Sequence, residues 1–290
     1  MKILVLGSNG QLGRCLADQF WNTNSVLIFA TRDNFDVTDY VLARNKITQI
    51  KPDLIVNASA YTAVDQAEYD HEQAYLVNQH SVANIADICA DIDCGLIHVS
   101  TDYVFDGKTN RPYVETDITN PQGVYGDSKL RGEQAVQLSG CRYIILRTSW
   151  VFSEYGNNFL KTMLRLGAEK DELRIVNDQF GCPTYAQDLA NGIVTLASCF
   201  SDQSFSSSIL HYCGDRPCTW YEFASTIFAY AETRGLRIPL KLVPITTDEY
   251  PTPAFRPLYS VLKCSSTGVG KNLIASNWKS SIARALHNME

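Results

Sequence analysis

Three glycines at three-residue intervals follow the first apolar stretch of the chain. Residues 2–6 form a nearly continuous apolar run, typical of a strand buried on both faces of a parallel sheet. Gly7, Gly10 and Gly13 follow directly and open a predicted helix that runs to about Trp21. Backbone amides at such a helix start can bind a pyrophosphate, because glycine lets the chain approach it closely. The alternative is a tight turn without a ligand. With a ligand, the residues expected to contact a dinucleotide are Gly7, Asn9, Gly10, Gln11, Leu12 and Gly13.

Strands and helices alternate through the first half of the chain. Further buried strands are expected at 26–30, 54–57, 96–100 and 142–147. The helices between them are expected at 38–50, 71–91 and 121–138. This alternation predicts an α/β fold, a doubly wound parallel sheet of the Rossmann type. We predict a dinucleotide-binding domain over 1–152, completed by a segment that returns near 180–200, and a smaller α/β substrate-binding domain over 153–290.

The pattern is looser in the second half. Helices are expected near 157–168, 185–198, 220–234 and 278–288, with a strand near 173–176. A polar linker is expected at 201–208, and proline-rich loops are expected over 239–257.

Composition excludes several classes of protein. A net charge of −6 without basic runs argues against a nucleic-acid or anionic-membrane surface. No stretch approaches the ~18 apolar residues of a membrane span, and no cleavage site follows the N-terminal apolar run, so we expect a cytoplasmic protein. The nine cysteines include no Cys-x-x-Cys pair, so we expect free thiols and no metal site.

The residues after the second strand bear on cofactor choice. Arg32 can bind a 2′-phosphate bidentately, which favours NADPH, whereas Asp33 is compatible with NADH. Asp36 and Val37 follow, and a carboxylate there can accept from an adenine amino group. Alternatively, Asp36 or Thr38 caps the next helix.

The third strand ends in small residues. They lie at the carboxyl edge of the predicted sheet, where ligands bind in such folds. Small side chains leave space for a nicotinamide ribose, and tight packing of the strand end is an equally good explanation. The residues expected to contact the cofactor here are Ala58, Ser59, Ala60, Tyr61 and Thr62.

Tyr125 and Lys129 lie one helical turn apart on one face. A lysine beside a tyrosine is expected to lower the pKa of the phenol, so that it can exchange a proton with a reacting oxygen. Thr101, at the end of the fourth strand, is a second donor to that oxygen. Asp102 can orient a sugar hydroxyl, although turn capping is a simpler role for either residue taken alone. We interpret His98 as a buried structural histidine.

Glycines surround this pair in the sequence. Gly123, Gly126 and Gly132 are poor helix formers. We interpret them as clearance for cofactor and substrate.

The longer motifs resemble a known family. The glycine turn, 100–105 (STDYVF) and the Tyr-x-x-x-Lys pair are similar to extended short-chain dehydrogenase/reductases. Further segments resemble the dTDP-4-dehydrorhamnose reductases within that group: 57–68, 100–107, 121–129, 147–152 and 256–257. The resemblance implies NADPH- or NADH-dependent reduction of the C4 ketone of dTDP-4-dehydro-β-L-rhamnose to dTDP-β-L-rhamnose, a precursor of surface polysaccharide.

The resemblance also implies roles for single residues. Tyr125 protonates the C4 oxygen, Lys129 holds the nicotinamide ribose, and Thr101 polarises the ketone. Asp102 and Trp150 contact the sugar. Arg256 meets the substrate diphosphate, a role that suits guanidinium geometry.

Two other functions stay open at this point. An epimerase on the same scaffold uses the same tyrosine and lysine but recycles its hydride, and a non-catalytic regulatory subunit of a methyl-donor synthetase is a third possibility. A homodimer is possible. The divalent ion described at a dimer contact in some relatives is not expected here, because its three carboxylate ligands cannot be matched.

Overall fold

The structure is a computed structural model that describes residues 1–20, 25–202, 205–266 and 268–289. The predicted helix end at Trp21 and part of the predicted linker at 201–208 lie outside these residues. The strands are β1 (Lys2–Leu6), β2 (Val26–Ala30), β3 (Leu54–Asn57), β4 (Gly95–Thr101), β5 (Tyr143–Thr148), β6 (Val151–Phe152), β7 (Glu172–Val176), β8 (Phe180–Gly181), β9 (Thr184–Tyr185), β10 (Ser208–His211), β11 (Cys218–Thr219) and β12 (Lys241–Ile245). The helices are α1 (Gln11–Phe20), α2 (Tyr40–Ile50), α3 (Val64–Ala67), α4 (His71–Tyr75), α5 (Ser81–Asp91), α6 (Val124–Leu138), α7 (Phe159–Glu169), α8 (Ala186–Ala197), α9 (Trp220–Thr233) and α10 (Trp278–His287).

A six-stranded parallel sheet forms the centre of the fold. Its strand order is β10-β5-β4-β3-β1-β2, and every pairing in it is parallel. The predicted doubly wound Rossmann sheet is therefore confirmed. The order reverses between β1 and β3, and ligands bind at the carboxyl edge of such a reversal.

Helices cover both faces of this sheet. On one face, Leu12 and Leu16 of α1 pack with Leu189 and Ile193 of α8. On the other, α2 and α5 bury Ile47 and other apolar side chains against the sheet. The inner strands β1, β3, β4 and β5 read as largely apolar runs because they are buried on both faces.

The strand register aligns the residues that begin the site. Leu6 is paired with Ala30 on one side and with Asn57 on the other, and Asn57 is paired with His98. Residues that are paired across a parallel ladder direct their side chains to the same face. Asn57 and His98 are therefore neighbours because of the register itself.

The rest of the chain builds a second core. Phe152, Phe223 and Trp278 are fully or almost fully buried in it. Three two-stranded pairs accompany it, β6 with β9, β7 with β12 and β8 with β11. No helix in the described part of the chain is both long and apolar enough to cross a membrane.

One local prediction is wrong. The expected loop at 239–257 contains β12, which tolerates Pro244 because it pairs on one side only, with β7. The helical region expected over 71–91 is confirmed, and it contains a π-helical turn at Leu76–His80 that the sequence did not predict. The expected linker at 201–208 leads into β10, a strand that was not predicted and that joins the central sheet.

Candidate active site

The glycine turn packs directly against the chain that follows β3. Gly7 has φ +77°, a left-handed conformation that favours glycine. A Cβ on Gly7 would lie 2.7 Å from the Ser59 nitrogen, and one on Gly13 would lie 2.4 Å from the Gly7 carbonyl oxygen. Asn9 and Gly10 are exposed at the start of α1. This open helix N-terminus fits a dinucleotide pyrophosphate, and the glycine pattern is explained by the packing around it.

The other residues of the turn have distinct roles. Leu12 is buried in the core. The Gln11 side-chain oxygen accepts from the Ser153 hydroxyl at 3.2 Å and from the Asn158 amide at 2.9 Å. The loop after β6 is thereby attached to the start of α1.

The segment after β2 places Arg32 at the surface, beside Asp36. Hydrogen bonds from the Thr38 hydroxyl and backbone hold the pKa of Asp36 below its usual range, and the Arg32 charge adds to this. The helix cap is Asp39, which accepts from the Leu42 nitrogen at 2.9 Å. The alternative in which Asp36 or Thr38 caps α2 is therefore wrong. Val37 is half-buried next to Asp36.

The segment after β3 is held by a residue that the sequence did not indicate. The Asn78 amide accepts from the Tyr61 nitrogen at 2.9 Å and donates to the Tyr61 carbonyl at 3.1 Å. It also donates to the Ser128 hydroxyl of α6 at 3.0 Å. Ala58, Ser59 and Ala60 are half-buried and Thr62 is exposed. Asn78 lies in the π-helical turn, and no periodicity in the sequence predicts that turn.

Thr101 brings Tyr125 and Asp102 together at the end of β4. The Thr101 hydroxyl donates to Asp102 Oδ1 at 3.0 Å and accepts from the Tyr103 nitrogen at 3.2 Å. The Thr101 hydroxyl also lies near enough to the Tyr125 phenol to lower the pKa of that phenol. The predicted pair of hydroxyls is therefore adjacent, and Thr101 also caps the short 3-10 turn that follows.

Burial raises the pKa of Tyr125, and the nearby Thr101 hydroxyl only partly opposes this. The expectation that Lys129 lowers the pKa of Tyr125 is wrong for this arrangement, because desolvation has the larger effect. The Lys129 ammonium is engaged elsewhere, donating to the Val99 carbonyl at 2.7 Å. Tyr125 is consequently a neutral phenol at pH 7, the form that can give a proton.

Lys129 is 1% exposed, and burial lowers its pKa to about 8. Glu133, one turn further along α6, opposes the shift. Glu133 is itself fully buried and accepts from Arg147 Nε at 2.9 Å and Nη2 at 2.7 Å. Sequence reasoning missed this pair, although an acid four residues after Lys129 on one helix face was an available signal.

Asp102 is 3% exposed, and burial raises its pKa to about 6 against the hydrogen bonds with Ser260 and Thr101. Among the described residues, its Oδ2 has no partner in good hydrogen-bond geometry. A buried carboxyl oxygen without a firm partner is available to a ligand hydroxyl.

The glycines of α6 make room for the chain itself. A Cβ on Gly126 would lie 2.2 Å from the Tyr103 carbonyl oxygen, and one on Gly132 would lie 2.2 Å from the Asn78 carbonyl oxygen. A Cβ on Gly123 would lie 2.7 Å from Glu68 Oε1, which accepts from the first amide of α6. Gly123 and Gly126 also line the cleft beside Tyr125, so their interpretation as clearance for cofactor and substrate stays a prediction, whereas packing alone accounts for Gly132.

Trp150 is positioned by packing in the second core. Its backbone has φ +46°, unusual for a large side chain. Its ring stacks on Trp220 with centroids 3.4 Å apart, and a Cβ on Gly181 would lie 2.3 Å from it. Trp220, which sequence reasoning missed, donates to Gln179 at 3.2 Å and so fixes the stack.

Arg256 lies between Phe255 and Pro257, two residues that line a cleft beside Tyr125. It pairs with Asp65 at 2.8 Å and donates to the Tyr103 phenol at 3.3 Å. The Tyr103 ring meets Tyr125 edge-on at 5.8 Å. The cleft is lined by Glu68, Tyr103, Phe105, Tyr125, Phe255 and Pro257, among others.

Among the described residues, no group of three His, Cys, Asp or Glu side chains is arranged to hold a metal ion. The structure brings several of the predicted residues together in a chain of contacts: Gly7 lies against Ser59, Ser59 is bonded to Asn57, and His98 lies between Asn57 and Lys129. Tyr125 lies one turn before Lys129 on α6, close to Thr101.

Comparison with known proteins gives one consistent family. The family model described as the RmlD substrate binding domain matches residues 1–290. The dTDP-4-dehydrorhamnose reductase of Sinorhizobium fredii is 41% identical over 98% of this chain and 96% of its own length. Among solved structures, the dTDP-4-dehydrorhamnose reductase of Clostridium acetobutylicum superposes with a TM-score of 0.92 at 36% identity, covering 100% of this chain and 99% of that one. The Bacillus anthracis enzyme of the same name, solved in complex with NADP, gives 0.90 at 32% identity and 99% coverage of both chains.

Proposed function

Since the chain belongs to the dTDP-4-dehydrorhamnose reductase family, we propose that it reduces the C4 ketone of dTDP-4-dehydro-β-L-rhamnose to the alcohol of dTDP-β-L-rhamnose. The hydride comes from NADPH or NADH when either is bound. The observation that carries the proposal is the half-buried, neutral Tyr125 beside Thr101 at the carboxyl edge of the parallel sheet.

The residues of the glycine turn would hold the cofactor. The free amides at the start of α1 suit its pyrophosphate, and exposed Arg32 suits a 2′-phosphate. The small side chains after β3 lie beside the turn, and Lys129 lies behind them. On this basis we propose that Ala58, Ser59 and Ala60 contact the nicotinamide ribose.

Tyr125 acts as the general acid. Its raised pKa keeps the proton on the phenol until an alkoxide forms on the substrate, and the alkoxide is the stronger base. The Thr101 hydroxyl lies near the phenol, so both can approach one substrate oxygen. Asp102 is assigned to a sugar hydroxyl because its Oδ2 lacks a firm partner.

Trp150 and Arg256 complete the substrate side. The stack on Trp220 holds the Trp150 ring in one orientation. Arg256 is only partly neutralised, since Asp65 is its one carboxylate partner within the described part of the chain and is half-exposed. A substrate diphosphate can compete for the guanidinium, which binds phosphate bidentately.

The decisive experiment is a cofactor assay. Purified protein is mixed with NADPH and dTDP-4-dehydro-β-L-rhamnose, and the absorbance of the reduced nicotinamide is followed. We expect one NADPH consumed for each sugar reduced, and a UDP-linked 4-keto sugar tested in parallel reports on the nucleoside. Sugar turnover without a change in absorbance would identify an epimerase and refute the reductase.

Tyr125→Phe tests the assignment of the acid. Its kcat should fall by about two orders of magnitude or more, because a positioned general acid contributes about that much. NADPH binding should persist. Tyr143→Phe is the matched control, because Tyr143 lies at the amino end of β5 and the site lies at the carboxyl ends of the strands. A Tyr125→Phe enzyme with near wild-type kcat would remove Tyr125 from the mechanism, and a regulatory subunit would show no turnover in any variant.

The same proposal divides the chain into a cofactor unit over 1–152, completed by a segment that returns near 180–200, and a substrate unit that comprises most of 153–290. Helix α8 lies in that returning segment and packs on α1, which supports this part of the proposal, and β10 extends the return to Ser208–His211. A homodimer and a cytoplasmic location stay predictions.

A further inference from the structure

His98 is fully buried between two nitrogen-bearing side chains. Its Nδ1 lies 3.2 Å from Asn57 Nδ2, and its Nε2 lies 3.4 Å from Lys129 Nζ. The parallel register of β3 and β4 places Asn57 beside it. His98 therefore meets a potential hydrogen-bond donor on each side.

The orientation of the Asn57 amide is fixed by its other contacts. Asn57 Oδ1 accepts from the Ser59 backbone nitrogen at 3.1 Å and from the Ser59 hydroxyl at 2.5 Å. A backbone N–H can only donate, so the amide oxygen must face Ser59 and the amide nitrogen must face His98. Asn57 consequently presents a donor to His98 Nδ1, which favours Nδ1 as an acceptor.

This directionality determines where the His98 proton lies. Complete burial lowers the pKa of His98 well below its usual value, so the ring is neutral and carries one N–H. With Nδ1 accepting, that proton is on Nε2 and points at Lys129. Asn57 cannot become an acceptor toward the ring, whereas Lys129 can do so by losing a proton.

We propose that Ser59 and Asn57 hold His98 in the Nε2–H tautomer, and that this N–H makes His98 a positioning residue that favours the amine form of Lys129. The proposal deepens the proposed function, because it rests on the role given there to Lys129. A lysine that titrates near the working pH can exchange protons at that pH.

The other groups around the Lys129 amine are accounted for. Glu133 of α6 favours the ammonium, but Arg147 of β5 engages both carboxylate oxygens of Glu133. Tyr125, one turn earlier on α6, is neutral. The Val99 carbonyl accepts from either protonation state of the lysine. His98 is therefore the neighbour whose hydrogen-bond direction distinguishes the amine form of Lys129 from its ammonium form.

His211 provides an internal comparison. It is also fully buried, and burial lowers its pKa to about 4. Its Nδ1 lies 3.2 Å from the Tyr113 carbonyl, which only accepts, and its Nε2 lies 3.5 Å from Arg147 Nη1, which only donates. The same reasoning gives His211 the opposite tautomer, with the proton on Nδ1.

Nitrogen NMR tests the tautomers without substrate. Protein labelled with ¹⁵N-histidine is studied at pH 9, above the pKa of about 8 that burial gives Lys129, by long-range ¹H–¹⁵N correlation, and His98→Gln and His211→Gln variants assign the signals. We expect the proton on Nε2 in His98 and on Nδ1 in His211. A proton on Nδ1 of His98, or on both of its nitrogens, would overturn the proposal.

The effect on Lys129 is measured in the His98→Gln variant. A glutamine can turn its carbonyl oxygen toward the ammonium, so the Lys129 titration followed by ¹³Cε NMR should move up by about one pH unit. The fall of kcat/KM at basic pH should shift upward by the same amount, while the affinity for NADPH is unchanged. His211→Gln should change neither the Lys129 titration nor the pH profile of kcat/KM. If the folded His98→Gln protein shows the same Lys129 titration as the wild type, the proposal is overturned. If the wild-type protein shows no reductase activity, only the proposed function is refuted.

Discussion

Replacing Asp102 by asparagine should stabilise the protein. The structure raises the pKa of Asp102 to about 6 from its usual 3.8 by burying the carboxyl group. Each pKa unit between the folded and unfolded states corresponds to about 1.4 kcal/mol. Above pH 6 the buried carboxylate therefore lowers the free energy of unfolding by about 3 kcal/mol. Asparagine is nearly isosteric, keeps an oxygen for the Thr101 hydroxyl and carries no charge.

The sign of the pH dependence follows from the raised pKa. Below pH 3.8 the carboxyl is protonated in both states and the penalty vanishes. As the pH rises toward 6, the unfolded chain ionises while the folded one does not, and the penalty grows. The advantage of Asp102→Asn should thus increase from about 1 kcal/mol at pH 4.5 to about 3 kcal/mol at pH 8.

Urea unfolding at these two pH values measures the difference. Asp106→Asn is the control, because a hydrogen bond from Tyr113 holds the pKa of Asp106 below its usual range. That carboxylate stabilises the fold at pH 8, so its replacement should have the opposite sign. An Asp102→Asn protein with no gain at pH 8, or with the same gain at both pH values, would refute the reasoning.

Three further substitutions test other parts of the site. Glu133→Ala leaves the buried Arg147 guanidinium unpaired and should lower the unfolding free energy by about 3–5 kcal/mol in urea titrations. Gly132→Ala places a Cβ against the Asn78 carbonyl, and overpacking should outweigh the gain in helix propensity, for a net loss of about 1–2 kcal/mol measured in the same way. Arg32→Ala should raise the KM for NADPH about tenfold while leaving that for NADH within about twofold, in steady-state assays.

Local patterns were sufficient to predict the central sheet. β1, β2 and β3 have the bounds expected from their apolar runs, because a strand buried on both faces needs a continuous apolar sequence. β10 was missed because Ser208–His211 is short, follows a polar stretch and is stabilised by pairing with β5, some sixty residues earlier in the chain. Such pairing leaves little trace in the sequence of the edge strand.

The protonation states of the site residues were harder to predict than which residues form the site. Tyr125, Lys129 and Thr101 are close together as expected, but the direction of the Tyr125 pKa shift was wrong. That direction depends on how deeply the phenol is buried, which is set by elements far apart in the chain. Asn78 was missed for a similar reason, since a π-helical turn that presents a buried amide is defined by its tertiary partners.

Burial acts on the three titratable groups of the site in a common direction. It raises the pKa of Tyr125 and of Asp102 and lowers that of Lys129, so each is pushed toward its uncharged form. At pH 7 the shifts are large enough to leave only Tyr125 uncharged, because the pKa values of Asp102 and Lys129 lie at about 6 and about 8. Hydride addition to a substrate ketone places a negative charge on its oxygen, and in a low dielectric that charge is strongly stabilised by a proton from the Tyr125 phenol beside Thr101. The raised pKa of Tyr125 therefore favours proton transfer at the moment of reduction rather than before it.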